Sequence, residues 1–277
     1  MRGVILSGGL GTRLLPWTKT SNKHLAPIYT PNGAVPMIFY PIKTLVNSGI
    51  TEILIISSQE HSGDIIEVLG DGDQFDCDFT YKIQDMNNPG KPVGIASALR
   101  LSENFVGDDP FAVILGDNYY QDSFQYEFDN FVKPLTEMSI SSKAPIANVF
   151  LKQVHDPERF GVATVEGMTN DMLTKKLSVS KIVEKPRLPE SNYAVTGLYL
   201  YTPHVFSLVP QLEVSDRGEL EITDINNWYV QNQTMTAFEL NGFWHDAGTI
   251  EGVREIESFI HDVSNNNSHR INKAYKI

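Results

Sequence analysis

Glycines at 8, 9 and 11, an arginine at 13 and a lysine at 23 crowd into the first stretch of the chain. Such a set suits a polyphosphate. Glycine lets backbone N–H groups approach an anion with no Cβ in the way, and Arg13 and Lys23 add positive charge at the same place. The apolar run just ahead, residues 3–7 (G-V-I-L-S), reads as a buried strand. The pattern is neither of two common phosphate loops. No G-K-[ST] triplet follows, as a Walker loop requires, and Leu14 stands where a dinucleotide fingerprint needs its third glycine. A plain turn after a strand is the alternative for any glycine pair; the spacing of Arg13 and Lys23 favours phosphate.

Other residues could join that chemistry. Asp117 directly follows the apolar run 111–115 (F-A-V-I-L), where a carboxylate can hold a magnesium ion bound to phosphate oxygens, or simply make a turn. Asp246, in F-W-H-D-A-G-T, is a second candidate for the ion; alternatively it caps a helix starting near Thr249. Spacing alone does not bring the two together. Lys185, in V-E-K-P, is either a phosphate partner or a solvated charge at a strand end. Arg217-Gly218-Glu219 has a helix-start reading, with Gly218 as the turn and Glu219 and Glu221 in the first turn. Gln84 ends a strand and presents a donor and an acceptor together, as a pyrimidine edge needs, or else contacts a loop. The helix that follows Gly94 could turn its N-terminus to an anion.

The elements that must position these residues alternate. Strands are expected at 3–7, 52–57, 79–83 and 111–115, and helices at 37–47, 65–69 and 95–101. Strand and helix repeated in this way predict an α/β fold, an open, mainly parallel Rossmann-like sheet flanked by helices. Ligands in such sheets sit outside the carboxyl ends of the strands, where the glycine turn and Asp117 both fall. Further strands are expected at 147–154, 161–165, 179–183 and 193–201, and helices at 203–209, 219–231 and 249–263. With no repeat and no Pro/Ser-rich linker, the chain reads as one domain, 1–277. Its nucleotide-binding part covers about 1–120, and the sugar-binding and C-terminal helical part about 121–277; the sheet carries a smaller substrate-side β extension. The polar stretch 264–270 reads as a loose connection.

The 277 residues suffice for a full core, and 41% hydrophobic with 20% charged residues is globular composition. The net charge of −12 disfavours a nucleic-acid partner, so the cations of a phosphate site must be placed locally. The lone Cys77 has no internal disulfide partner and no zinc set, and reads as a small buried hydrophobe. No segment has the length of a membrane span and no signal peptide is evident, which predicts a soluble, cytoplasmic protein with no membrane partner.

The ordered segments G-G-L-G-T-R-L-L-P with Lys23 downstream, L-G-D-N, D-P-E-R-F-G-V, V-E-K-P, S-N-Y-A-V-T-G-L-Y, R-G-E-L-E-I-T-D-I-N and W-H-D-A-G-T resemble those of sugar-1-phosphate nucleotidylyltransferases. The resemblance runs from Gly3 to about the helix after Thr249, and is nearest to members that use dTTP and glucose 1-phosphate. It implies nucleotidyl transfer that yields a nucleotide sugar and pyrophosphate. It assigns the triphosphate to Gly8, Gly11, Thr12, Arg13 and Lys23, the base to Gln84 and Gly94, and Mg2+ to Asp117 and Asp246. Asn118, Gly161, Glu184 and Val195 would line the sugar, Lys185 would grip its phosphate, and Arg217 would assist on that side. Arg13, Lys23 and Lys185 are then the catalytic cations. The family also implies a homo-oligomer, commonly a tetramer.

The sequence departs from the family pattern at several places, of which the loop 85–93 lies near the base. The link 30–35 (T-P-N-G-A-V) and the loop 85–93 are longer than usual, and Val93 and Ser97 replace an aspartate and a glutamine. His24 replaces a glutamine in K-Q-L-L-P and His245 a leucine before Asp246. The alternatives are a uridylyl- or cytidylyltransferase for another hexose 1-phosphate, a catalytically silent nucleotide-sugar regulator, and a glycosyltransferase. The silent regulator would lack Arg13, Asp117, Lys185 or Asp246, all present. The glycosyltransferase would need a D-x-D metal motif, and Asp71-Gly72-Asp73 follows a helix, so it reads as a turn.

Overall fold

Strand-forming runs in the first half, except the run 78–84, whose residues are largely exposed or half-buried, are apolar on both sides, which buries them between two helical layers. In the computed structural model, which describes residues 1–9, 11–86, 92–137, 141, 144–170 and 174–266, these runs are β1 (Arg2–Ser7), β4 (Glu52–Ser58), β5 (Asp78–Gln84) and β6 (Phe111–Leu115). Between β1 and β4 lie a hairpin, β2 (Pro27–Thr30) with β3 (Gly33–Pro36), and helix α1 (Phe39–Asn47). Helix α2 (Ser62–Leu69) leads to β5, and α3 (Ile95–Arg100) and α4 (Glu103–Val106) lead to β6.

The second half adds a short β7 (Asn118–Tyr120), helix α5 (Gln125–Glu137), and the strands β8 (Ala147–Gln153), β9 (Gly161–Asn170), β10 (Lys175–Glu184) and β11 (Tyr193–Tyr201). Helices α6 (Val205–Leu208) and α7 (Ile222–Gln231), strands β12 (Met235–Glu239) and β13 (Trp244–Asp246), and helix α8 (Ile250–Asn266) complete the described chain.

One nine-stranded sheet runs in the order β5-β4-β1-β6-β11-β8-β12-β10-β9. The first four strands are mutually parallel, as expected from their helical crossovers. Beyond β6 the directions mix: β11 is antiparallel to β6 and β8, β12 is parallel to β8, and β10 is antiparallel to β12 and β9. The α/β, Rossmann-like architecture is therefore as expected, with its continuous parallel block in the first four strands of the sheet order and one further parallel pair, β12 with β8. The substrate-side strands continue the same sheet.

Side-chain alternation along the strands builds two apolar layers. Ile5, Ile55, Ile114, Phe150 and Phe238 face one layer with α1, α2, α5 and α8. Val4, Leu6, Ile56, Val113, Val149 and Tyr201 face the other with α3, α6 and α7. Each layer spans both halves of the chain.

Several elements depart from the expected ranges. Helix α5 was not expected, although Phe124, Phe128 and Phe131 bury one face at helical spacing; Pro134, inside its last turns, interrupts the pattern. The long link 30–35 is the turn and second strand of the β2–β3 hairpin, closed by Thr30 Oγ1 donating to Gly33 O over 2.8 Å. Residues 264–266, expected as loose chain, extend α8, because Val253, Ile256, Phe259 and Ile260 anchor that helix to the core. The rest of that stretch, 267–270, lies outside the described residues, as do Leu10 and residues 87–91 of the long loop. Asp71-Gly72-Asp73 is a turn, with Asp73 N donating to Asp71 Oδ1.

Candidate active site

Three carboxyl-terminal strand ends of the parallel part converge. After β1 the chain enters the glycine loop. Gly11 has φ 58°, and a Cβ there would stand 2.8 Å from Thr18 Cγ2; Thr18 Oγ1 in turn donates to Gly11 O over 2.8 Å. Only glycine fits this fold-back. Thr12 and Arg13 follow in a short 3-10 turn, both exposed, and Arg13 has no side-chain partner among the described residues. Gln84, from the end of β5, is buried. Its Oε1 lies 3.0 Å from where a Cβ on Gly8 would be, and its Nε2 donates to Gly94 O over 3.4 Å. Gly8, Gln84 and Gly94 therefore meet at one place.

Asp117 follows β6, whose continuation β7 pairs antiparallel with β13. That pairing sets Asp246 opposite Asn118, and Ala247 N donates to Asp117 O over 2.7 Å. The two carboxylates thus become neighbours. A Cβ on Gly248 would stand 2.6 Å from Asp246 Oδ2 and 3.8 Å from Asp117 Oδ2. Lys23, held by a short 3-10 turn with Asn22 as its cap, places Nζ 2.5 Å from Asp117 Oδ2.

Burial pushes the Asp117 carboxyl up, but the Lys23 charge and hydrogen bond, with the His24 charge and a backbone hydrogen bond, together hold the group down at about 2. Asp246 is raised, first by burial and then by the Asp117 charge beside it. Like-charged carboxylates in a shared niche are what a divalent cation relieves. The site fits Mg2+ in a further way: Gly248 leaves open the space between two Oδ2 atoms. Mg2+ commonly takes one or two carboxylates with substrate phosphates completing its shell.

Asp246 is not a helix cap. Thr249 Oγ1 accepts from Gly252 N over 3.0 Å in that role, and Asp246 Oδ2 accepts from Gly248 N over 3.2 Å. Asn118 is buried with both amide atoms engaged: Nδ2 donates to Asp117 Oδ1 over 3.2 Å, and Oδ1 accepts from Trp244 Nε1 over 2.7 Å.

A second cluster sits at the end of β10. Glu184 Oε2 accepts from Thr223 Oγ1 over 2.6 Å and borders Gly161, whose Cβ would be 3.3 Å away. Lys185 lies in the left-handed region, φ 42°, an uncommon conformation for a residue with a side chain. Its N donates to Phe160 O over 2.9 Å, and its Nζ stands 3.3 Å from Glu184 Oε1. Arg217 pairs with Glu184, Glu219 and Glu221 at 3.2–3.3 Å. The expected helix start at 219 is corrected: α7 begins at Ile222, and Arg217–Glu221 form a strap before it. In that strap Glu219 bridges Val93, and Leu220 N donates to Val93 O over 2.8 Å. Val195, on β11 opposite Leu151, is buried in the apolar layer.

The sequence reading assigned no role to three residues that matter to this geometry. Arg159 donates to Asp246, Thr223 to Glu184, and Trp244 to Asn118. All three lie inside motifs that were legible, D-P-E-R-F-G-V, R-G-E-L-E-I-T-D-I-N and W-H-D-A-G-T, but their partners are remote in sequence. A separate cleft of about 340 Å³, bordered by Glu103, Asp108, His204 and Phe206 among others, contains none of the expected site residues.

The chain is 37% identical to a glucose-1-phosphate thymidylyltransferase of Neisseria meningitidis over 268 residues, 96% of this chain and 84% of that protein. A solved structure provisionally assigned as a glucose-1-phosphate thymidylyltransferase from Bacillus anthracis, in complex with sucrose, superposes with a TM-score of 0.80 at 43% identity, over 95% of this chain and 96% of that one. UDP-glucose pyrophosphorylase complexed with UDP-glucose shares the fold, with a TM-score of 0.76 at 23% identity over 93% of this chain and 97% of that one. The nucleotidyl transferase family model matches residues 2–263, and the chain belongs to that family.

Proposed function

We propose that the protein transfers a thymidylyl group from dTTP to glucose 1-phosphate, giving dTDP-glucose and pyrophosphate. The observation that carries this reading is the meeting of Asp117, Asp246 and Lys23 below the glycine loop. The 37–38% identical relatives named for that reaction support the choice of substrates.

The chemistry asks little in the way of acid–base catalysis. A sugar phosphate has a second pKa of about 6, so its nucleophilic oxygen is already ionised at neutral pH. That oxygen attacks the α-phosphorus, the new P–O bond forms, and the bond to the β-phosphate breaks, with its electron pair leaving on pyrophosphate. No proton has to move. The protein's task is to align the reactants and offset their negative charge.

Gly8, Gly11 and Thr12 offer backbone N–H groups to the triphosphate, and Arg13, exposed and unpartnered among the described residues, is available to its phosphates. Gln84 and Gly94 face the base. Lys23 moves from Asp117 to the phosphates as charge arrives. Lys185 and Arg217 receive the sugar phosphate, with Glu184, Gly161, Asn118 and Val195 on the sugar; Asn118 Nδ2 also donates to Asp117 Oδ1. Asp117 and Asp246 would hold Mg2+, which when bound neutralises triphosphate charge as a Lewis acid. The reading extends to a homo-oligomer, and to a reducing cytoplasm, which the free, buried Cys77 suits. Among the described residues no helix is long and apolar enough to cross a membrane.

The test is a panel of dTTP, UTP and CTP crossed with several hexose 1-phosphates in Mg2+, with pyrophosphate release as the readout. dTTP with glucose 1-phosphate is expected to give the highest kcat/KM. A higher value for UTP or CTP reassigns the base, and no release with any pair overturns the reading.

A further inference from the structure

Each carboxylate of the Asp117–Asp246 pair is held from behind by one oxygen. Asn118 Nδ2 donates to Asp117 Oδ1 over 3.2 Å, and Arg159 Nη2 donates to Asp246 Oδ1 over 2.9 Å. The other oxygens, Oδ2 of both residues, border the open space at Gly248, where Asp117 Oδ2 also meets Lys23 Nζ and Asp246 Oδ2 accepts from Gly248 N. Arg159 is itself fixed on three sides. Its Nη1 donates to Asp156 Oδ2 over 2.6 Å, and its guanidinium stands 5.1 Å from the centroid of the Phe160 ring. That ring packs edge-on against Trp244 at 5.2 Å, and the Trp244 indole N–H holds Asn118. The supports behind the two carboxylates therefore form one connected set.

We propose that Arg159 is a positioning residue for the divalent cation: it grips Asp246 by Oδ1 so that Oδ2 is presented to the ion. The inference rests on the reading that Asp117 and Asp246 are the ligands. Partners behind a ligand commonly set its orientation and the site's affinity. Arginine suits the place because its planar fork spans two carboxylates at once, Asp156 and Asp246, which a lysine point charge does not. It also offsets the repulsion between the paired aspartates before an ion arrives, as Lys23 does on the Asp117 side. A bridge that merely tied the 156–160 turn to β13 would stabilise the fold without changing cation affinity.

Mn2+ is the probe, titrated into the full chain and followed by its electron paramagnetic resonance signal. Arg159→Gln is expected to weaken Mn2+ binding about 10- to 100-fold. Arg159→Lys should recover part of the loss. In steady state the Mg2+ concentration for half-maximal rate should rise while kcat at saturating Mg2+ changes little. Wild-type Mn2+ affinity in folded Arg159→Gln overturns the proposal. Should that variant not fold, Asp156→Asn decides, since Asp156 has a side chain 43% exposed and acts only through Arg159; it must weaken Mn2+ in the same direction. Asp246→Asn separates the two levels. If it loses Mn2+ while Arg159→Gln keeps it, only the role of Arg159 falls; if Asp246→Asn also binds as wild type, the ligand reading falls and this inference with it.

Discussion

His24 shows how much a single substitution of residue type depends on its surroundings. The ring is enclosed, its Nδ1 lies 2.6 Å from Asn22 Oδ1, and its Cδ2 comes within 2.8 Å of where a Cβ on Gly116 would be. Burial first, then the Lys23 charge, pushes the imidazole down to about 3, against a smaller opposite pull from Asp117. His24 is thus neutral at working pH and donates from Nδ1, so Lys23 is the main positive charge beside Asp117. A histidine whose folded value lies below its ordinary 6.5 leaves stability intact above about 6.5 and removes it as pH falls toward about 3, because the unfolded chain takes the proton first. The slope approaches about 1.4 kcal/mol per pH unit. His24→Gln, the amide found in the resembling K-Q-L-L-P segments, should flatten that loss. Urea midpoints across the mildly acidic range check it, and parallel curves for the two proteins would contradict it. That residue 24 is a histidine was legible in the sequence; that it is neutral and buried was not, since burial comes from Gly116 at a remote strand end.

At the scale of elements, the strap before α7 joins two sites that the sequence treats separately. One side of it lies on Gly94, and its Arg217 reaches Glu184 at 3.3 Å. Gly94 has φ 113°, and a Cβ there would stand 2.6 Å from Leu220 O. Gly94→Ala is therefore expected to strain the backbone and lift the strap, costing about 1–3 kcal/mol. It should also raise KM for the sugar phosphate, because Arg217 rides on the strap. Denaturant midpoints and initial rates measure both, and an unchanged midpoint would show that the strap tolerates the methyl group. The parallel strands and their helices were legible because short apolar runs and helical spacing are local signals. Helix α5 was hidden by Pro134, and β7, β12 and β13 were not assigned from pattern alone. The pairing of β7 with β13, which joins the two aspartates, follows from tertiary register.

For the whole molecule, both apolar layers cross the boundary near residue 120. Ile5 and Ile55 share one with Phe150 and Phe238, and Val4 and Ile56 share the other with Val149 and Tyr201. The two halves of the chain, before and after about residue 120, are therefore expected to unfold together, in one calorimetric transition with matching calorimetric and van't Hoff enthalpies. dTTP with Mg2+ at about 100 times Kd should add about 2.7 kcal/mol to its stability. Two resolved transitions would divide the chain into separate domains. The sequence by itself determined the α/β class, the glycine turn after β1, the cations Arg13 and Lys23, and an aspartate at the end of β6, because periodicity and turn chemistry act over a few residues. Only the tertiary structure decided that Asp117 meets Asp246, that Arg159 stands behind Asp246, and that Asn118 and Arg217 are engaged by Trp244 and Glu184. Those partners are chosen by strand register and sheet order, which bring distant segments within hydrogen-bond reach and leave no periodic trace along the chain.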